Sequence, residues 1–298
     1  MKKAILTYKT TSDDAGKTAE TICKHKLSMS SALITKLKLQ GKIYINEKPC
    51  RSIDILKDND ILCADVTEYD KSENIVPTPM KLNILYDDEY ITVVVKPRQL
   101  SIHPCIESYT NTLANGIMHF WQGNGEYHKF HAVNRLDKNT SGICVIAKNS
   151  FAHNALSNQA KSGAFKKRYK AIVHGIPEKK QSTIDLPIKR QAESVIKRIT
   201  APDGKPSITH YKVIDEKDGL SLVDIWLETG RTHQIRVHFS AIGHPLVYDW
   251  LYGDESSDNE QQGHLLHVYE VEFLHPKTKQ TMRFSSPIPE DMSKLLDC

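Results

Sequence analysis

The sequence predicts a two-module α+β protein, and three observations carry that prediction. Its 298 residues exceed one average domain, so a second, smaller module is expected. Between Lys17 and Arg51 stand eight Lys/Arg against only Glu20 and Glu47, which makes this the most basic long segment. Beyond Leu82, strand patterns alternate irregularly with two or three short helical patterns and with hairpin turns such as Asp218-Gly219. No regular βαβ succession appears, which favours α+β over a doubly wound sheet.

In the basic segment, Leu33, Ile34 and Leu37 recur at helical spacing after a serine-rich cap region, and Gly41 stands where a helix-ending glycine belongs. Ile43 and Ile45 alternate with polar neighbours as in a short strand, followed by turns at Asn46-Glu47-Lys48-Pro49 and Lys57-Asp58-Asn59-Asp60 and another strand. The pattern is helix, turn, helix, strand. Residues 67–80, polar and containing Pro77 and Pro79, read as a linker. Ile84-Leu85-Tyr86, a turn at Asp87-Asp88-Glu89 and the β-branched run from Ile91 to Val95 then read as a hairpin with a buried second strand.

A hydrophobic content of 39% with 26% charged residues is enough for full cores. The apolar run near the N-terminus, Ala4-Ile5-Leu6, is too short for an export signal, and no later stretch approaches a membrane span. The cysteines at 23, 50, 63, 105, 144 and 298 form no Cys-x-x-Cys pair, so reduced thiols in the cytoplasm are expected and zinc is not. The sequon Asn139-Thr140-Ser141 is then a chance pattern. A net charge of +4 does not by itself demand a nucleic-acid partner; its concentration in one segment says more.

Three segments are rich in functional groups: Lys96-Pro97-Arg98-Gln99-Leu100-Ser101-Ile102-His103-Pro104, Asn134-Arg135-Leu136-Asp137-Lys138-Asn139-Thr140-Ser141-Gly142, and Gly230-Arg231-Thr232-His233-Gln234-Ile235-Arg236-Val237-His238. An Asp before a strand is ordinarily a turn residue. Asp137-Lys138-x-Thr140 also suggests an aspartyl-phosphate motif, but there the Asp ends a strand, whereas here the apolar strand follows it and no glycine-rich cradle accompanies it. His233 and His238 are five apart with no Glu between them, which departs from zincin spacing. Two arginines bracketing polar residues fit the binding of a carboxylate or of phosphates.

Together, Arg-Leu-Asp-x-x-Thr-Ser-Gly, Gly-Arg-Thr-His-Gln-Ile-Arg-Val-His and the upstream Lys-Pro…His-Pro resemble the hallmark segments of RluA-like pseudouridine synthases, from about Leu82 to Pro289. Lys167-Arg168-Tyr169-Lys170-Ala171 resembles the family segment that supplies an active-site tyrosine. The N-terminal run from Leu27 to Asn46 resembles the small RNA-binding module named after ribosomal protein S-four. These resemblances imply a cofactor-free isomerase that detaches uracil from ribose and rejoins it through carbon 5. Asp137 would act at the anomeric centre, Arg236 would pair with it, and Tyr169 would stack on the base and serve when carbon 5 loses its proton. Arg135 would fill the space left by the flipped base, Arg231 would contact phosphate, and Lys36, Lys38 and Lys42 would hold RNA.

Two departures from the family pattern stand out. Asn134 replaces the usual His, and Gln99 replaces the usual Gly, suggesting a loop with no need for positive φ. The reading is an S-four-like domain over 1–66, a linker over 67–80, and an α+β synthase domain over 81–298 with a central mixed or antiparallel sheet. Its expected partner is RNA, with 23S rRNA favoured over tRNA by domain content, and a monomer is expected. The competing classes are a catalytically silent RNA-binding or ribosome-assembly protein and an aspartyl-phosphate enzyme.

Overall fold

The computed structural model describes residues 3–68, 75–106, 108–253 and 263–296. Its first unit runs β1 (Ile5–Lys9), α1 (Ala19–His25), α2 (Ser31–Leu39), β2 (Ile43–Ile45), β3 (Lys48–Pro49) and β4 (Ile61–Asp65). The four strands form an antiparallel sheet in the order β1-β4-β2-β3. Thr18 and Ser30 cap the two helices by accepting the amides of Thr21 and Leu33. Leu33, Ile34 and Leu37 are buried, and Gly41, at φ 63°, ends α2 as its position predicts.

The larger unit contributes β5 (Asn83–Asp87), β6 (Ile91–Lys96), α3 (Leu113–Gly123), β7 (His131–Ala132), β8 (Ser141–Ala147), α4 (Ser150–Lys161), β9 (Lys166–His174), β10 (Gln181–Asp185), β11 (Ile188–Arg190), β12 (Arg198–Thr200), β13 (Ile208–Lys217), β14 (Leu220–Leu227), α5 (Gln234–Ala241), β15 (Leu266–Leu274), β16 (Thr281–Ser285) and α6 (Glu290–Leu296). Its main sheet follows the order β10-β13-β14-β9-β15-β8-β6-β5, with β16 also on β15 and β7 on β8. Among the described strands of this sheet, β15 with β8 is the one parallel pair, so the sheet is mixed and the class α+β. β11 and β12 form a separate hairpin.

β8 explains the layering. Its side chains alternate: Cys144 and Ile146 pack with Trp121 and Ile117 of α3, while Ile143, Val145 and Ala147 face the other core with Phe151 and Leu156 of α4. All seven β8 residues are buried, as a strand covered on both faces requires.

The two units share one apolar core. Ala4, Leu6 and Val66 join the same buried cluster as Tyr90 and Ile91, and the Tyr90 hydroxyl donates to the Ile5 carbonyl at 3.1 Å. A buried carboxylate seals the contact. Glu68 accepts Lys36 Nζ at 2.9 Å, Ser150 Oγ at 2.6 Å and, at the first turn of α4, the Ser150 amide at 3.2 Å, with His131 Nε2 3.6 Å away.

This geometry corrects one sequence expectation and bears on a second. Thr67 and Glu68, read as the start of a linker, are buried, because Thr67 Oγ1 accepts the Ala4 amide and Glu68 is hydrogen-bonded to α4. Of that linker, residues 69–74 lie outside the described residues, and Asn115 of α3 holds the following chain through the Val76 carbonyl and the Thr78 amide. Of the three lysines expected on RNA, Lys36 bonds Glu68 and Lys42 donates to the Thr67 carbonyl at 2.8 Å, so both tie the module to its own chain. Lys38 is exposed.

Burial pushes the Glu68 carboxyl up, but His131, Ser150 and Lys36 outweigh it and hold it at about 2, below the ordinary 4.5. A depressed carboxylate contributes stability above its unfolded pKa and loses it as pH falls through the folded one. The Glu68 contribution is therefore complete above pH 4.5 and disappears on acidification towards about 2. Glu68→Gln is expected to lower Tm at pH 7, with the difference from wild type shrinking across that acid window in parallel thermal melts. A pH-independent difference would mean that the carboxylate charge contributes nothing.

Candidate active site

β8 is preceded by a loop whose backbone lies outside the sheet ladder, so side chains hold it. Lys96, fully buried at the end of β6, donates to the carbonyls of Pro97, Leu100 and Lys138 at 2.8–2.9 Å. Burial lowers its ammonium to about 8. Two buried imidazoles of the chain leading into and along β15 hold the end of the loop and the first residue of β8: His264 Nε2 lies 2.8 Å from Thr140 Oγ1, and His267 Nδ1 2.8 Å from Ser141 Oγ. Burial drives His264 well below its ordinary value and His267 down to about 4, so both are neutral near pH 7. Gly142 follows at φ 117°, where a Cβ would meet the Val268 backbone at 2.3–2.7 Å. Only glycine lets β8 and β15 approach so closely at the point where the loop enters the sheet.

Asn134 precedes this loop. Its buried amide donates to the Ile143 carbonyl and accepts the Val145 amide, both at 2.8 Å, so the side chain is bonded to β8 rather than facing solvent. Gln99 corrects another expectation: it adopts φ 61°. The turn after β6 does need the left-handed conformation, at a cost of about 1–2 kcal/mol for a residue with a Cβ, because Lys96 draws two carbonyls of that turn onto one ammonium.

Asp137 projects from the loop with about a third of its side chain exposed. Arg236, on α5 and buried, reaches its Oδ2 through Nη1 at 3.3 Å. The rest of that guanidinium is held by Asp249, to which Nε and Nη2 donate at 2.7 and 2.8 Å. Asp249 Oδ1 also accepts the amides of Leu251 and Tyr252, and the Tyr252 ring packs 4.9 Å from the Arg236 guanidinium. Burial disfavours the Arg236 charge, yet Asp249 and then Asp137 raise its pKa.

His233, at φ 59°, immediately precedes α5 as its N-cap; its Nδ1 meets the Tyr252 hydroxyl at 2.8 Å and its Nε2 lies 3.7 Å from Asp137 Oδ2. Its pKa is lowered by burial and by the Arg236 and Arg198 cations, against the pull of Asp137. His238, one turn further, instead bonds Thr209 and the Leu186 carbonyl.

A slot of about 80 Å³ opens beside Asp137, a size suited to one flat ring. Arg135, Leu136, Tyr169, Leu227, Arg231, Ile235, Arg236 and Leu266 are among its walls. The fold thus gathers Asp137, Tyr169, Arg236, Arg135 and Arg231, which are far apart in sequence, around one opening. Tyr169 is buried on β9 opposite Ile225 and Val268, while Arg135 and Arg231 are exposed at the mouth. Such a site can hold a planar base between apolar and aromatic walls while presenting an oriented carboxylate to the atom attached to it.

Sequence reasoning missed Asp249, His233 as a neighbour of Asp137, and the two loop-holding histidines. Asp249 carried a usable signal, since it is a lone acid in the apolar run from Leu246 to Tyr252. The histidines carried none, because each meets its loop partner across more than 120 residues.

Residues 90–241 match the family described as RNA pseudouridylate synthase. The chain is 41% identical over 272 residues to the uncharacterized RNA pseudouridine synthase YjbO of Bacillus subtilis, covering 91% of this chain and 95% of that one. It is 34% identical over 278 residues to ribosomal large subunit pseudouridine synthase D of Neisseria meningitidis, covering 90% of this chain and 74% of that one. Among solved structures, human RNA pseudouridylate synthase domain containing 1 superposes with a TM-score of 0.59 at 26% identity, covering 70% of this chain and 83% of that one.

Two outcomes follow from the geometry. Asn134→His is expected to keep turnover within tenfold of wild type, since a neutral imidazole also offers one donor and one acceptor, whereas Asn134→Leu loses both bonds and should lower Tm. Asp249→Asn leaves Arg236 with an under-compensated buried charge, a change that costs roughly 3–5 kcal/mol when a buried pair is broken. Urea unfolding and turnover should fall together, and a fully stable, fully active variant would show that Asp137 alone positions Arg236.

Proposed function

From the premise that this chain belongs to the RNA pseudouridylate synthase family, we propose that it isomerises one or more uridines of large-subunit ribosomal RNA, with Asp137 as the catalytic group. The observation that carries the assignment of Asp137 is its placement at the mouth of a one-ring slot under a guanidinium locked by a second carboxylate. The target uridine leaves its stack, at a cost of a few kcal/mol, and its base enters against Tyr169, Leu136 and Ile235. The Asp137 carboxylate then serves the sugar, as nucleophile or base, while the N1–C1′ bond breaks. The freed base turns and C5 bonds to C1′; C5 loses its proton and N1 gains one, so the reaction balances as an isomerisation. Tyr169, beside the base, is the group placed to assist that proton loss. Arg135, exposed at the mouth, suits the gap left in the RNA stack, since its guanidinium is planar and cationic.

Two further features support an extended RNA. A groove beside the slot is lined by Lys189, Arg190, Arg198, Lys205 and Arg231, with Asp203 among them, and such cations suit consecutive phosphates. The docked N-terminal module leaves Lys24 and Lys38 exposed, which suits an S-four-like role in widening the contacted surface. The ribosomal target is supported by the relative from Neisseria meningitidis, whose name assigns it to the large subunit.

Asp137→Asn is expected to abolish tritium release from carbon-5-labelled uridine in RNA while RNA binding persists; activity within tenfold of wild type would refute its role. Lys205→Ala with Arg231→Ala should flatten the dependence of log affinity on log salt by roughly 0.7 per lost phosphate contact on single-stranded RNA. An unchanged slope would remove the groove from the interface. Pseudouridine mapping of total RNA from cells with and without the gene tests the target. Loss of a large-subunit site is the expected result, and loss confined to tRNA would overturn it.

A further inference from the structure

A second cavity, about 860 Å³, opens on Asp137 and is lined by Gln99, Lys138, Asn139, Ile196, His233, Arg236, Trp250, Leu251 and His264. It shares Asp137, His233 and Arg236 with the one-ring slot, yet is far larger than a single base requires. The chain has three tryptophans. Trp121 is fully buried beneath β6 and donates to Thr92, and Trp226 is stacked on His210 with Arg168 over its ring. Among the described residues, Trp250 stacks on no ring and lies under no cation; instead it lines this cavity, partly buried. Its backbone is fixed nonetheless, because Asp249 on one side accepts the amides of Leu251 and Tyr252 on the other. The neighbouring walls mix apolar Ile196 and Leu251 with the amide of Asn139 and the exposed Lys138.

An aromatic ring on a fixed backbone, apolar flanks, an amide and a cation are the chemistry that receives a nucleobase and its phosphate. We propose that this cavity holds the base of a nucleotide next to the target uridine in the RNA chain, stacked on Trp250, so that the enzyme splays out two adjacent nucleotides rather than one. This inference rests on the isomerase reading, because the target uridine with its C1′ at Asp137 is what directs the adjoining nucleotide into the neighbouring cavity. Stacking tolerates any base, so Trp250 supplies affinity and placement more than sequence choice.

The test compares wild type, W250A and W250F on total RNA from a strain lacking the gene, with pseudouridine formation as the readout. It also titrates each protein with a short single-stranded uridine-containing oligonucleotide while following tryptophan emission. W250A is expected to lose about tenfold or more in kcat/KM, the size of one lost base–aromatic stack, mainly through KM, whereas W250F retains most activity because a phenyl ring still stacks. The oligonucleotide should quench wild-type emission and quench W250F much less. A W250A protein with unchanged kcat/KM, or full quenching in W250F, overturns the inference while leaving the isomerase reading intact. A wild-type protein that forms no pseudouridine on any RNA overturns the isomerase reading, and this inference with it.

Discussion

The structure around the slot depends on one buried cation shared by two carboxylates. Arg236 is almost completely removed from solvent, and such a charge persists only when its donors are matched. Asp249, itself 1% exposed, takes Nε and Nη2, which leaves Nη1 aimed at Asp137. The division of labour follows from burial. The deep carboxylate neutralises and orients the guanidinium, and the shallower one, a third exposed, still faces the slot. The longer 3.3 Å contact agrees with that order, since the stronger bidentate contact is made first to the partner that cannot turn to water.

The shared cation imposes a constraint on three separate segments, because α5, the Asp249 loop and the loop before β8 must reach one point. The sheet alone does not guarantee this, since the loop before β8 has no ladder of its own. Polar side chains substitute for it. Lys96 holds the Lys138 carbonyl, His264 the Thr140 hydroxyl and His267 the Ser141 hydroxyl, while Gly142 lets β15 come near enough for those imidazoles to reach. Among the described residues, the Nδ1 of His264 and the Nε2 of His267 are buried without a hydrogen-bond partner, so each imidazole spends its one described hydrogen bond on the loop. The positive φ of Gln99 belongs to the same economy, because its turn is shaped by Lys96 rather than by its own preference.

What was legible in the sequence is what short-range pattern encodes. The apolar run of β8, the β5–β6 hairpin, the serine-rich cap and glycine stop of α2, and the clustering of functional groups near Asp137, Tyr169 and Arg236 all lie within windows of ten residues or so. The mixed sheet was legible only as a class, since nothing local specifies that β8 lies parallel to β15 across more than a hundred residues. Asp249, His264 and His267 escaped because their meaning is their partner. The lysines show the same limit from the other side. Lys36, Lys38 and Lys42 look alike in sequence, yet two of them are bonded to Glu68 and the Thr67 carbonyl and only Lys38 is simply exposed. A charge run states how many cations there are, not which of them a fold consumes.

That consumption bears on how such an enzyme selects one uridine among many. Phosphate contacts place a protein on RNA without reading bases, and a slot that accepts one pyrimidine cannot distinguish uridines by their neighbours. On the proposed reading selection comes from shape, which requires rigid distances between contacts. The Glu68 network and the common core around Tyr90 fix the N-terminal module against the catalytic sheet rather than leaving it on a tether. Lys36 and Lys42 are part of what fixes that geometry. On the proposed reading, the distance from the exposed face of α2 to Asp137 acts as a ruler, and a uridine is chosen when the surrounding RNA spans that distance while its base reaches the slot.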